Sequence, residues 1–280
     1  MRRSLGCLTT LRAIATCVPG NARAQASQNR DIILATTTSL YDTGLLDSLA
    51  PLFEHETGYH LHIVAVGSGQ ALRMGERGDA DVLLVHSPGA EQAFVQAGHA
   101  GRRLVVATNY FTIVGPPDDP AGGRAAPTAA AALRRIAATG AVFVSRGDSS
   151  GTHQRELQLW HEGGARPEWT GYLESGQGMS ITLLIAEERR GYTLTDRATY
   201  AALRDRLSLA VLRDRERGLL NVYHVIEVNP EGRPRVNAGG ARVFADWIVS
   251  PAVQDRIAIF GARPLGEPLF VPARGREPEP

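Results

Sequence analysis

Ala141-Val142-Phe143-Val144-Ser145-Arg146-Gly147-Asp148-Ser149-Ser150-Gly151-Thr152-His153 is the stretch on which the fold turns. Its four apolar residues read as a buried strand, and Leu157, Leu159 and Trp160 beyond it mark a helix. Between the two lies a turn of hydroxyls and glycines carrying one guanidinium. The first N–H groups of a helix lack intrahelical acceptors and sit at the positive end of the macrodipole, so an anion can occupy them. Arg146 adds a planar fork of donors that stays charged at any working pH, which suits tetrahedral oxygens. Gly147 and Gly151 let the backbone approach closely. A loop in which Arg146 merely pairs with Asp148 while Ser149 or Ser150 caps the helix would leave the same pattern.

The pattern recurs twice. Ile32-Ile33-Leu34-Ala35 runs into Thr36-Thr37-Thr38-Ser39 before the helical spacing of Leu45, Leu46, Leu49, Leu52 and Phe53. Ile63-Val64-Ala65-Val66 runs into Gly67-Ser68-Gly69-Gln70 and then Ala71-Leu72. In an open α/β sheet, ligands sit beyond the carboxyl ends of the strands, so three such turns can meet in one cleft. Neutral hydroxyls, amide N–H groups and one arginine together suit a small, fully deprotonated anion, whose dehydration they can offset.

Outward from these turns, apolar runs alternate with helical spacings. Strands are predicted over 31–36, 60–66, 81–85, 103–107, 110–115, 141–145, 192–195, 208–212 and 222–228. Helices are predicted over 43–57, 70–77, 89–97, 127–138, 152–163, 179–189, 196–205, 239–249 and 251–260. This order implies an α/β protein with mainly parallel sheets flanked by helices. The crossovers fall near 107–111 and 220–224, so one lobe is expected from 31–108 plus 223–270 and a second from 109–222, with the ligand cleft between them. A chain of 280 residues with 43% hydrophobic content can bury cores of that size.

Every one of the 30 basic residues is arginine, and the net charge of +1 argues against a nucleic-acid surface. No run of 18 apolar residues occurs, so no bilayer-spanning helix is expected. Residues 1–26 read as a secretory signal: Arg2-Arg3, a modest apolar stretch from Leu5 to Val18 broken by Arg12, and an Ala22-Arg23-Ala24 cleavage pattern. Cleavage removes four arginines and turns the small positive charge negative. It also removes Cys7 and Cys17, the chain's two cysteines, which excludes a disulfide, a cysteine nucleophile and a thiolate metal site from the secreted form. Neither cysteine sits well for lipid attachment.

Two other readings compete. Gly147-Asp148-Ser149-Ser150-Gly151 with His153 superficially resembles a serine-nucleophile loop, but none of the eight histidines stands where a base and its orienting group are both supplied. Scattered histidines of this kind are expected at the surface. Asp148 beside Arg146 would suit hydrogen phosphate, whose proton a carboxylate accepts. For an unprotonated dianion that carboxylate must instead orient Arg146 or cap a backbone N–H.

The segments ATTTSLYDTGLLDSL (35–49), VAVGSGQALRMGERGDADVLLVHSPGAE (64–91), FVSRGDSSGTHQRELQLW (143–160), YLESGQGMSITL (172–183) and GYTLTDRATY (191–200) together resemble, in order, the tungstate-binding extracytoplasmic proteins of ABC importers. The resemblance covers residues 31–271. It implies the two-lobed type II periplasmic-binding-protein fold, with two crossovers between the lobes, a periplasmic location, no cofactor and no catalysis. The implied partners are tungstate or molybdate and a membrane permease, with the protein acting as a monomer. Matched motif by motif, the oxyanion ligands would be Thr37, Thr38 and Ser39, then Ser68, then Arg146, Ser150 and Thr152, with a backbone donor at the Gly178 turn. Two stretches depart from the family pattern: Tyr110 replaces an acidic residue, and Leu220-Asn221-Val222-Tyr223-His224 replaces an Asn-Pro-Tyr-Gly form. The phosphate-binding proteins of ABC importers are the alternative, and a serine hydrolase the remote one.

Overall fold

The computed structural model describes residues 29–165, 167–262 and 268–276, so the expected signal segment at 1–26 lies outside the described residues. Among the described residues, strands and α-helices follow one another as β1 (Asp31–Thr37), α1 (Thr38–Asp42), α2 (Leu45–Thr57), β2 (His60–Val66), α3 (Ser68–Arg77), β3 (Val82–Val85), α4 (Pro88–Gln96), β4 (Ala100–Gly115), α5 (Ala129–Ala138) and β5 (Phe143–Ser145) in the first half. The second half adds α6 (Gly151–Glu162), β6 (Tyr172–Glu174), α7 (Met179–Glu188), β7 (Thr193–Asp196), α8 (Arg197–Leu203), β8 (Ala210–Arg213), β9 (Leu220–Val228), α9 (Ala238–Ile248), α10 (Pro251–Ile259) and β10 (Val271–Pro272).

The main sheet runs β10-β4-β9-β3-β1-β2, with β7 and β8 joined to β4, and β5-β6 forms a separate pair. Pairing is parallel for β1 with β2, β1 with β3 and β5 with β6. It is antiparallel wherever β4 or β9 takes part. The sheet is therefore mixed rather than mainly parallel. The reason lies in β4, whose two predicted pieces are one 16-residue strand. Its first part pairs with β9 as far as Tyr110 opposite Leu220, and its last residues, Phe111–Gly115, leave β9 for β7 and β8. No proline interrupts Ala100–Gly115, so nothing forces the break predicted at Thr108-Asn109.

Hydrophobic cores gather on either side of this strand pair. One set packs Leu34, Phe53, Val82, Val225 and Phe244 under α2 and α9, with Leu83, Ala71 and Phe94 on the opposite face of the sheet. The other packs Phe143, Trp160, Leu133, Tyr192 and Leu194, with Val144, Met179 and Leu183 behind. Burial of side chains such as Phe53, Phe143 and Trp160 contributes about 2–3 kcal/mol each and fixes the helices against the strands. What these cores position is the row of strand ends.

Candidate functional site

Because β1 pairs in parallel with β2 (Thr37 opposite Val66) and with β3 (Thr36 opposite Leu84), the three strands end side by side. Thr37-Thr38-Ser39, Gly67-Ser68 and His86-Ser87 follow those ends directly. Thr37 caps α1, its Oγ1 accepting from Leu40 N at 3.2 Å, and Thr38 and Ser39 are the first residues of that short helix rather than part of an open turn. Gly67 caps α3, placing Ser68 in the first turn. From the other set of cores come β5, whose end carries Arg146, and the starts of α6 and α7. Ser150 caps α6 through a bond from His153 N, and Gly178 is the cap of α7.

These segments meet. A β-carbon on Gly67 would stand 3.9 Å from Asp148 O and 4.0 Å from Ser150 Cα, and one on Gly178 would stand 3.9 Å from Thr38 Oγ1. Hydrogen bonds from Ser180 Oγ to Asp42 (2.9 Å) and from Ser87 Oγ to Gln154 (2.6 Å) tie the two groups of segments together. All eight residues expected from the sequence therefore belong to adjoining segments. Thr37, Ser39, Ser68, Arg146, Ser150 and Thr152 are buried, and Thr38 and Gly178 are partly so.

The loop that carries Arg146 departs from ordinary backbone. Gly147 has φ +60° and Ser149 φ +59°, the latter costing about 1 kcal/mol for a residue with a β-carbon. That conformation turns both oxygens of Asp148 inward, one to the Arg146 guanidinium and one to Ser150 N at 3.1 Å. Asp148 thus orients the arginine and caps a backbone N–H, contacts that the anion-site reading and the plain-loop reading share.

The hydrogen-bond balance is uneven. Ser68 Oγ, Arg146 Nε and Thr152 Oγ1 are buried and find no partner among the described residues. Buried polar groups are nearly always paired, since each left unpaired costs about 1–3 kcal/mol. Three such atoms in adjoining segments, all able to donate and one of them cationic, form a donor set for an anion.

His153 does not complete a nucleophile. Its Nδ1 accepts from Ser149 N at 3.1 Å, and its backbone N–H, not its ring, meets Ser150 Oγ. The expectation of surface histidines fails elsewhere: His86 and His224 are 2% and 1% exposed. His86 follows β3 as the hydroxyl turns follow β1 and β2, so the same strand-end reading would have found it. Burial holds its ring neutral, with the pKa pushed down to about 4. Its Nε2 lies 3.2 Å from Ser39 Oγ and its Nδ1 3.0 Å from Asn221 Oδ1.

A second buried network was missed as well. Glu156 accepts from Ser145 Oγ (2.8 Å), Trp160 Nε1 (3.0 Å) and Tyr172 Oη (2.8 Å), tying β5, α6 and β6 into one support for the Arg146 loop. Burial raises its carboxyl to about 7. A cavity of about 340 Å³ is lined by His86, Phe111, Gly151, Gln154, Arg155, Arg217 and Asn221 among others. None of the eight expected ligands lines it.

Comparison with known proteins agrees with this geometry. The model of the PBP superfamily domain matches residues 22–252. The chain is 43% identical to the tungstate-binding protein TupA of Peptoclostridium acidaminophilum over 97% of this chain and 99% of that one. Among solved structures it is similar to TupA of Desulfovibrio alaskensis G20 (46% identity, TM-score 0.73, covering 86% of this chain and 98% of that one). It is equally similar in fold to the tungstate ABC transporter structure from Geobacter sulfurreducens (44% identity, TM-score 0.73, covering 80% and 95%). The strand-end donors, the superfamily match and this near full-length identity lead to one conclusion: the chain belongs to the PBP superfamily and, within it, to the family of the tungstate-binding proteins.

Proposed function

We propose that this protein captures tungstate outside the cytoplasm and delivers it to the membrane permease of an ABC transporter, with molybdate, nearly identical in shape and charge, accepted by the same donors. The ligands are the hydroxyls of Thr37, Thr38, Ser39, Ser68, Ser150 and Thr152, the Arg146 guanidinium and the backbone N–H of Gly178. The cleft lies between a lobe of 31–108 plus 223–270 and a lobe of 109–222, and the protein works as a monomer after loss of residues 1–26.

The observation that carries this reading is the set of partnerless donors at Ser68, Arg146 and Thr152. An unprotonated dianion needs donors and no acceptor. Here the nearest carboxylate, Asp148, has one oxygen committed to Arg146 and the other to a backbone N–H. Three helices of ten residues or more, α3, α6 and α7, also begin at the site and add the positive ends of their dipoles.

Calorimetric titration with tungstate, molybdate, sulfate and phosphate tests the assignment. Tungstate should bind with nanomolar affinity, about −12 kcal/mol. Tighter binding of phosphate than of tungstate would overturn the reading in favour of a hydrogen phosphate carrier.

A further inference from the structure

Ser39 belongs to the proposed ligand set, yet the bonds around it do not leave its proton for a ligand. Asn221 Nδ2 donates to Asn109 Oδ1 and to Tyr223 Oη, each at 2.9 Å. Its Oδ1 must therefore accept from His86 Nδ1. A neutral imidazole carrying its hydrogen on Nδ1 is an acceptor at Nε2, so Ser39 Oγ, 3.2 Å away, donates its hydroxyl proton to the ring. Ser39 then presents lone pairs, one of them within reach of Thr37 Oγ1 at 3.3 Å. Lone pairs repel an unprotonated dianion and would suit the proton of hydrogen phosphate instead.

The same side chains have one other self-consistent arrangement. If the Asn221 amide turns over, its Nδ2 donates to His86 Nδ1, and its Oδ1 accepts from Tyr223 Oη. If Asn109 turns with it, the Asn109 Nδ2, which is buried and has no partner among the described residues, donates to Asn221 Oδ1. The imidazole then carries its hydrogen on Nε2 and donates to Ser39 Oγ, which frees the Ser39 proton for the cleft. Asn109 and Asn221 face each other in register on β4 and β9, where the chain passes between the two sets of cores. The His86 ring packs against Tyr223, at 4.9 Å between ring centres, and beside Gly151, where a β-carbon would stand 3.2 Å from the ring atoms Cε1 and Nδ1.

We infer that His86 is a specificity-determining positioning residue: on tungstate binding it changes from the Nδ1–H to the Nε2–H tautomer, with the Asn109–Asn221 amide pair turning over beside it, and so converts Ser39 from an acceptor into a donor. The inference rests on the tungstate reading above. In the change, solvent water supplies a proton to Nε2, forming the N–H bond there, and the Nδ1–H bond of the transient imidazolium then breaks and returns its proton to water, so the ring is neutral before and after. The proton arrangement set at the strand crossing then selects a dianion without a proton over one that carries a proton.

Long-range proton–nitrogen NMR of the purified protein labelled with ¹⁵N-histidine, before and after saturation with sodium tungstate, tests the inference. The His86 signals are identified by their loss in His86→Gln. The expected result is a pyridine-type Nε2 without tungstate and a pyridine-type Nδ1 with it. An unchanged tautomer overturns the inference. Alongside it, His86→Gln, whose amide nitrogen can reach Ser39, should keep tungstate affinity near that of wild type, whereas His86→Asn, which reaches only toward Asn221, should lose about tenfold or more. Equal affinity of the two variants also overturns it. Wild-type protein that binds no tungstate in calorimetry would instead remove the functional reading itself, so the two failures are distinguishable; should His86→Gln not fold, the signals lost in His86→Asn identify the ring and the wild-type spectra decide.

Discussion

The residues from Ser145 to Trp160 serve two buried polar clusters that differ in one respect. Around Glu156, the donors of Ser145, Trp160 and Tyr172 all converge on one carboxyl. Around Arg146, on neighbouring positions of the same segment, Ser68 Oγ, Thr152 Oγ1 and Arg146 Nε have no partner among the described residues. The first cluster is complete within the chain and holds the loop in place. The second leaves three donors open, which is what the proposed ligand would fill. Satisfied polar groups stabilise the fold, and unsatisfied ones mark where binding energy is held in reserve.

Substitutions should separate the two clusters, and the largest effect is expected at Arg146. Arg146→Ala removes the single cation of the donor set and should weaken tungstate binding by about 4 kcal/mol, roughly a thousandfold in calorimetry. Its effect on melting should be small, because the lost partner, Asp148, is one-fifth exposed and can be solvated. Adding Asp148→Asn should recover part of the loss.

Glu156→Ala should do the reverse: about 3 kcal/mol of stability lost in denaturant unfolding, since the buried donors of Ser145 and Trp160 and the half-buried Tyr172 hydroxyl lose their acceptor, with tungstate affinity nearly kept below the melting point. The carboxyl also predicts a pH dependence. Its folded pKa, raised by burial to about 7 from 4.5, means that its stabilising contribution is full below pH 4.5 and is lost as pH rises through about 7. Glu156→Gln should lack that slope, so the stability of wild type relative to this variant should fall between pH 4.5 and 7.

Smaller effects of opposite sign sharpen the contrast. Thr152→Val and Ser68→Ala should each cost about 1.5 kcal/mol of tungstate binding, roughly tenfold, while raising the stability of the ligand-free protein by up to about 1 kcal/mol, because each deletes a buried hydroxyl without a partner. Ser145→Ala, which deletes a paired hydroxyl, should lower stability by about 1 kcal/mol and leave affinity alone. Chemical unfolding with and without tungstate reads both quantities.

The strand–turn–helix units at 31–57, 60–77 and 141–163 were legible because apolar runs and hydroxyl caps are local signals. The features that escaped depend on distant partners. β6 is three residues that extend only because Tyr172, Leu173 and Glu174 pair with β5, and β10 is two residues that pair across Ala107 and Thr108. The short α1, ahead of the helix predicted over 43–57, escaped because its residues read as a hydroxyl turn, and Gly44 at φ +77° separates it from α2. The site shows the same division. Arg146, Ser150 and Thr152 could be read from the chain, whereas His86, Asn109 and Asn221 acquire meaning only once β3, β4 and β9 lie side by side.

A crystal structure of the protein soaked in tungstate, phased on the tungsten anomalous signal, tests the central claim most directly. The account predicts one strong peak whose surrounding oxygens lie within hydrogen-bond distance of Ser68 Oγ, Arg146 Nε and Thr152 Oγ1. A peak in the cavity beside Arg155 and Arg217, with those three atoms still without partners, would contradict it.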